Sequence, residues 1–248
     1  MTSALVVLFT DFGYEGPYVG QVKAALWREA PDAPVVDLMH DAPAHRPDLA
    51  AYLLAALAPE FPEGCVFLGV VDPDVGSPAR RPVVLCAGGR WYVGPDNGLF
   101  EIVARRAGDA EWREIDARPA RLSASFHGRD LFAPAAGRLL RGDAVAGVSR
   151  DAASRPGSDW PDDLARIVYI DRFGNAMTGM RAKAVPAGKT IAVGNARLPR
   201  ARTFADLSEG AAFWYENSNG LAEIAVNRGR AADALGLGIG DRVTLAVP

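Results

Sequence analysis

Over roughly its first 145 residues the chain alternates short β-branched runs with stretches of helical spacing, and no other feature restricts its fold as much. Residues 5–9 read as a strand. Residues 18–30 follow with apolar side chains at Val19, Val22 and Leu26, the three-to-four spacing of one helix face. Residues 35–38 form a second strand. Asp48 then reads as an N-cap for a helix carrying Leu49, Tyr52, Leu53, Ala56 and Leu57, closed by Pro59. Residues 66–71 are a third strand, and 83–87, Gly88-Gly89 and 91–93 read as a hairpin. Residues 99–106 and 131–140 have helical spacing. Strands alternating with helices imply an α/β fold, a mostly parallel sheet flanked by helices on both faces.

The texture changes at residues 151–163, where Ser, Pro, Gly and Asp dominate, as in a linker. The later apolar runs (165–170, 190–193, 211–215, 221–226 and 243–247) are short and separated by turn residues, the pattern of a small β-barrel or sandwich. The expected organisation is an α/β domain over 1–150, a linker over 151–163 and a smaller, barrel-like all-β domain over 164–248.

Composition removes several function classes. The net charge is −3 and the 27 Lys and Arg residues are dispersed, which argues against a nucleic-acid binder. No apolar run approaches the roughly 18 residues of a membrane span. Residues 4–9 are too short, and lack the basic flank, for a signal peptide. A cytoplasmic protein is expected. Cys65 and Cys86 lie outside any CxxC pattern, so they read as small buried thiols rather than a disulfide or zinc site. His40 and His45 lack the companions of a metal motif, and no metal is expected. Glycine-rich phosphate loops and the GxSxG elbow are also absent from the sequence.

Polar groups cluster where the strands end. The third strand stops at Asp72-Pro73-Asp74-Val75-Gly76-Ser77 and leads to Arg80-Arg81, the position at which open α/β sheets present polar groups to ligands. Phe126-His127-Gly128-Arg129-Asp130 supplies the side chain that titrates near neutrality. An acid, a guanidinium and an imidazole together suit the handling of a water proton; Asp72 with Arg80 also reads as a surface ion pair in a loop. Thr10-Asp11-Phe12-Gly13 follows the first strand, and its carboxylate suits a ribose diol or, equally, a turn. Gly94-Pro95-Asp96-Asn97-Gly98 has the composition of a tight turn into a helix. In the second half, Asp171-Arg172-Phe173-Gly174-Asn175 offers an amide able to read a purine edge, or a β-turn, and residues 217–227 join a polar turn to an alternating strand.

Taken together and in this order, these six segments resemble the S-adenosylmethionine hydrolases, the hydroxide adenosyltransferases related to the fluorinating and chlorinating enzymes. The resemblance implies cleavage of S-adenosylmethionine by water to adenosine and L-methionine, with some preference for the R sulfonium epimer. It implies no cofactor and no metal. It further implies a homotrimer whose active sites lie between one subunit's N-terminal and a neighbour's C-terminal domain. The family's catalytic acid, arginine and histidine fall on Asp72, Arg80 and His127. Asp11 matches the ribose-binding aspartate and Asn175 the adenine-reading asparagine. Phe126 lies in the matched histidine segment, and Phe204 matches an aromatic against the purine. Asp171 and Ser218 match contacts to the methionine end, and Glu223 and the backbone near Arg228 line the same ligand. Three positions depart from the pattern: Gly16 replaces an aspartate, with Glu15 adjacent; the gap from Asp72 is one residue longer, leaving Arg80 and Arg81 as alternatives; and Asn219 stands where the fluorinating relatives have arginine. The competing expectations are a halide transferase and a non-catalytic adenosine-binding regulator.

Overall fold

In a computed structural model, residues 5–116, 119–149 and 155–247 are described. The chain divides into two compact units, Met1–Asp159 and Trp160–Pro248.

The first unit is built on a seven-stranded sheet. Its strands are β1 (Val6–Thr10), β2 (Val35–Met39), β3 (Val66–Val70), β4 (Pro82–Ala87), β5 (Arg90–Pro95), β6 (Glu111–Ile115) and β7 (Gly147–Ser149), in the order β2-β1-β3-β5-β4-β6-β7. β1 and β3 are buried at every position, which is why they read as continuous apolar runs rather than alternating ones. The α/β class is as expected, but the sheet is mixed. β2, β1, β3 and β5 pair in parallel, whereas β4 pairs antiparallel with both β5 and β6, and β6 with β7. The Gly88-Gly89 turn is too short for a crossover, so β4 and β5 can pair only as a hairpin.

Helices α1 (Tyr18–Glu29) and α4 (Ala133–Leu140) pack together and bury Val22, Ala25, Leu26, Ala135 and Ala136 against Val6, Leu8, Val66, Leu68 and Val70. α2 (Pro47–Leu57) and α3 (Glu101–Ala107) form a second contacting pair. α2 starts two residues earlier than its sequence suggests. Pro47 occupies the first turn, where its missing N–H costs nothing, and Asp48 is paired with the Arg46 guanidinium at 2.7 and 2.8 Å instead of capping the helix. The helix expected over 131–140 is preceded by a π-turn, Gly128–Phe132, which begins immediately after His127.

Of the expected linker, residues 151–154 lie outside the described residues. Arg155 and Gly157 pack onto the first unit: the Arg155 guanidinium stacks 4.9 Å from the Trp112 ring and meets Glu101 at 3.1 Å, and Arg105 donates to the Gly157 carbonyl at 3.0 Å. Of the two thiols, Cys65 is buried and Cys86 half-buried; both are free.

The second unit contains a four-stranded antiparallel sheet of β8 (Leu164–Ile170), β9 (Ala176–Arg181), β12 (Ala212–Glu216) and β13 (Leu221–Val226), ordered β12-β13-β9-β8. A three-stranded sheet holds β10 (Thr190–Val193), β11 (Ala196–Leu198) and β14 (Thr244–Ala246) in the order β11-β10-β14. Single bridges, Arg200 to Trp214 and Arg166 to Arg242, join the sheets at their two seams and give the barrel-like closure. β9 escaped the sequence reading because Gly179 interrupts it. A Cβ at Gly179 would stand 2.8 Å from that of Leu164, so glycine is what lets β8 and β9 approach. The barrel is filled by Ile167, Ile191, Trp214, Ile224 and their neighbours.

Candidate active site

In the first sheet the connections from β1 run to β2 on one side and, through β2 and α2, to β3 on the other. The carboxyl ends of β1 and β3 therefore flank a point where the strand order reverses, the usual ligand crevice of open α/β sheets. Asp11 follows β1 and its N–H donates to the Val70 carbonyl at 3.3 Å, so the strand ladder runs up to the residue itself. Asp72 follows β3 by two residues.

A cavity of about 260 Å³ opens there, lined among others by Asp11, His45, Asp72, Val75, Phe126 and His127. Phe12, Tyr18 and Phe126 form one wall, with ring centroids 5.3–5.9 Å apart in edge-on and tilted contacts. Four of the expected site residues, Asp11, Asp72, Phe126 and His127, thus meet in one place. Arg80 stands beside them, held through Asp72.

The Arg80 guanidinium meets Asp72 at 3.0 Å and Asp74 at 2.7 Å, and donates to the Asp96 carbonyl at 3.1 Å. Arg81 points elsewhere, to the exposed Glu114 at 2.9 Å. The side chain facing Asp72 is therefore that of Arg80. The pair is buried, Asp72 being only 2% exposed, which separates it from an ordinary surface ion pair. Burial raises the Asp72 carboxyl above its ordinary pKa; Arg80, the Asp74 backbone N–H and His127 pull it only part of the way back. Among the described residues no donor meets either Asp72 oxygen in good hydrogen-bond geometry; Arg80 Nε, at 3.0 Å, and the Asp74 N–H act on it through charge and dipole rather than through well-directed bonds.

The turn at Gly94–Gly98 acts as a buttress. Asn97 Nδ2 donates to the Val71 carbonyl at 2.7 Å, and the Asp96 N–H donates to the Arg81 carbonyl at 2.8 Å, so this turn fixes both ends of the loop carrying Asp72 and Arg80. On the far side, Gly76 adopts φ +85°, and a Cβ there would lie 2.1 Å from the Ala124 carbonyl oxygen. Glycine alone permits the Asp72 loop to rest on the segment that leads into His127.

The second unit holds a cavity of about 690 Å³. Asp171, Asn175, Phe204, Ser218, Glu223 and Arg228, all expected from the sequence, line it. Asp171 accepts from the Asn175 N–H at 2.8 Å and from its side-chain amide at 3.1 Å, which orients that amide. Phe204 packs edge-on against Phe213 and Tyr215 at 5.2 and 5.3 Å. Glu223, 2% exposed, accepts from Tyr215 Oη at 2.5 Å and Asn217 Nδ2 at 2.7 Å. Burial, reinforced by Asp171, raises the Glu223 carboxyl, with Tyr215 and Asn217 opposing; burial and Glu223 likewise raise Tyr215.

Sequence reasoning missed His45, Tyr215 and Asn217 as lining residues. His45 has φ +59°, and its N–H donates to Asp11 at 3.0 Å, a backbone role that residue identity does not announce. Tyr215 is adjacent to two aromatic residues in β12, and strand alternation alone could have set it on the Phe213 face. Neither Glu15 nor Gly16 lines the first cavity, and Asn219 does not line the second; the Asn219 backbone N–H is spent on Asn217 Oδ1 at 3.0 Å. No group of three or more His, Cys, Asp or Glu suited to a metal ion occurs among the described residues, nor any helix long and apolar enough to cross a membrane.

Family models place this architecture. Residues 6–149 match the SAM hydroxide adenosyltransferase N-terminal domain and residues 165–244 the C-terminal domain. The chain is 44% identical to an (R)-S-adenosyl-L-methionine hydrolase of Thermus thermophilus, covering 97% of this chain and 98% of the relative. It is 38% identical to another of that name from Salinispora arenicola, covering 94% of each. Among solved structures, a conserved protein of Thermotoga maritima superposes with a TM-score of 0.86 at 31% identity, over 98% of this chain and 100% of the other. With both halves matched in order over nearly its whole length, the chain belongs to the SAM hydroxide adenosyltransferase family.

Proposed function

We propose that this protein is an enzyme that hydrolyses S-adenosyl-L-methionine, the R sulfonium epimer in preference, to adenosine and L-methionine, with no cofactor. The observation that carries the reading is Asp72, paired with Arg80 behind it and sharing a cavity wall with His127, one strand away from Asp11.

In this reading a water oxygen attacks the ribose C5′ in line with the sulfonium. The C5′–O bond forms as the C5′–S bond breaks, and the electron pair of the broken bond neutralises the sulfur. The leaving group is a neutral thioether and needs no acid. The demand falls on the water, whose pKa in bulk is about 15.7. Asp72, with its raised basicity and unaligned oxygens, accepts the water proton together with His127, and Arg80 favours hydroxide character. Positioned proton acceptors of this kind contribute about 10²–10⁴-fold, and holding water at near-attack distance supplies more. A carboxylate beside the attack position repels an anionic nucleophile, which favours water over halide.

Asp11 receives the ribose hydroxyls. In the second cavity Asn175 reads the adenine edge, Phe204 packs on the purine, and Asp171, Ser218, Glu223 and the backbone at Arg228 hold the rest of the ligand. From the family resemblance, the assembly proposed is a homotrimer in which the first cavity of one subunit and the second cavity of a neighbour share one substrate. The proposed location is the cytoplasm.

Incubation with each sulfonium epimer, with and without chloride or fluoride, tests this reading by chromatography. Adenosine and methionine in equal amounts are expected, faster from the R epimer. A 5′-halo nucleoside, or binding without turnover, overturns it.

A further inference from the structure

Behind the wall that carries Asp11 lies a polar chain that the proposed chemistry does not use, buried at Thr10 and His40 and reaching the surface at Asp37 and Lys23. His40, 2% exposed, sits with Nδ1 2.8 Å from Thr10 Oγ1 and Nε2 2.9 Å from Asp37 Oδ1. Asp37 carries Lys23 on its other oxygen at 2.5 Å. The Tyr14 ring meets the imidazole edge-on at 5.4 Å. Burial opposes charge on Asp37, yet the Lys23 and His40 bonds together keep its carboxyl below the ordinary value, so it is an acceptor. His40 Nε2–H therefore donates to Asp37. Thr10 Oγ1, itself 3.4 Å from the Phe12 N–H, shares the second ring bond with Nδ1 at 2.8 Å. Every polar atom of the ring is satisfied in that arrangement.

Thr10 immediately precedes Asp11, and the same two segments are stitched by backbone bonds. The Ala42 N–H donates to the Thr10 carbonyl at 3.1 Å, the Gly13 N–H to the His40 carbonyl at 2.6 Å, and the His45 N–H to Asp11 Oδ2 at 3.0 Å. His40 adds a side-chain to side-chain bond to these, tying the last residue of β1 to the loop whose N–H aims the Asp11 carboxylate. We propose that His40 is a positioning residue: through Thr10 it fixes the turn and the 40–45 loop so that one Asp11 oxygen is held by His45 and the carboxylate is presented to the ribose diol.

This inference rests on Asp11 being the ribose contact. Steady-state kinetics on the trimeric, full-length enzyme separate the two. Thr10→Val, nearly isosteric, and His40→Gln each remove the Thr10–His40 bond. Either change is expected to raise KM about tenfold with kcat within about threefold, the size of one lost buried hydrogen bond acting on binding. Thr10→Ser, which keeps the hydroxyl, restores KM. On an Asp11→Ala background, where no carboxylate remains to be aimed, the same substitutions leave KM where Asp11→Ala alone puts it. If they raise KM by the same factor on both backgrounds, or lower only the melting temperature, His40 is a structural residue and the proposal falls. If Asp11→Ala itself leaves KM unchanged, the ribose assignment falls first and the proposal with it.

Discussion

Asn97 donates its side-chain amide to the carbonyl of Val71 at 2.7 Å, so the turn after β5 holds the last residue before Asp72. Both residues are buried, and Asn97 Oδ1 also accepts from the Leu99 N–H at 3.2 Å. Asn97→Ala strands a buried carbonyl and a buried N–H. It is expected to cost about 1–3 kcal/mol in urea denaturation and to lower kcat through the displaced Asp72 loop. Unchanged kcat with the expected loss of stability would mean that the buttress does not reach the chemistry.

The two adjacent arginines give a sharper contrast. Arg80→Lys removes a planar fork that spans Asp72, Asp74 and the Asp96 carbonyl. A fall in kcat of about 10²-fold or more is expected, since a single ammonium keeps the charge but cannot span the three acceptors and leaves the buried carboxylate poorly paired. Arg81→Lys alters an exposed pair with Glu114 and should leave kcat within about twofold. Equal effects would reverse the assignment of Arg80.

Asp72 carries opposite consequences for rate and stability. Its folded pKa lies above the unfolded value of about 3.9. As pH rises past that value the unfolded chain releases the proton first, so this residue makes stability fall with rising pH until the folded group also ionises. Asp72→Asn should therefore flatten the decline in urea midpoint above about pH 4, while reducing adenosine release by about 10²-fold or more. Glu223, raised in the same direction, leaves a residual slope in this variant. A variant whose urea midpoint declines above about pH 4 as steeply as that of the parent protein would contradict the sign.

The same shift fixes the acid limb of the rate profile. Proton acceptance needs ionised Asp72, so kcat should fall on acidification with an apparent pKa above that of a free aspartate. His127→Ala should lower kcat by about 10²-fold or more. Full activity in that variant, with the parent protein's oligomeric state unchanged, would remove His127 from proton handling.

Gly76→Ala tests loop geometry without touching a polar group. The added Cβ would sit 2.1 Å from the Ala124 oxygen in a left-handed conformation, so either the Asp72 loop or the His127 segment must move. kcat is expected to fall more than KM rises. Wild-type kinetics would show that the two loops need not touch.

Much of this was legible in the chain. The buried runs of β1 and β3 announced the parallel half of the sheet, and the polar residues at their ends fell in one cavity. Local spacing marked the β4–β5 hairpin but not the rest of the antiparallel half, because β6, with Glu111, Arg113 and Glu114 among its five residues, carries too little apolar signal. Strand β9 was hidden by a glycine whose purpose is visible only beside Leu164. Arg80 and Arg81 are chemically identical in sequence, and only the turn at Asp96 sends one inward. His45 contributes a main-chain N–H, which no residue preference encodes.

β1 is hydrogen-bonded along both flanks, to β2 and to β3. A strand so gripped cannot slip register without breaking two ladders at once, so the anchor points of Asp11 and of the Asp72 loop remain about one interstrand spacing, 4.8 Å, apart. Loops hung from such a rigid rail can exchange side chains or change length while the distance between their roots stays fixed.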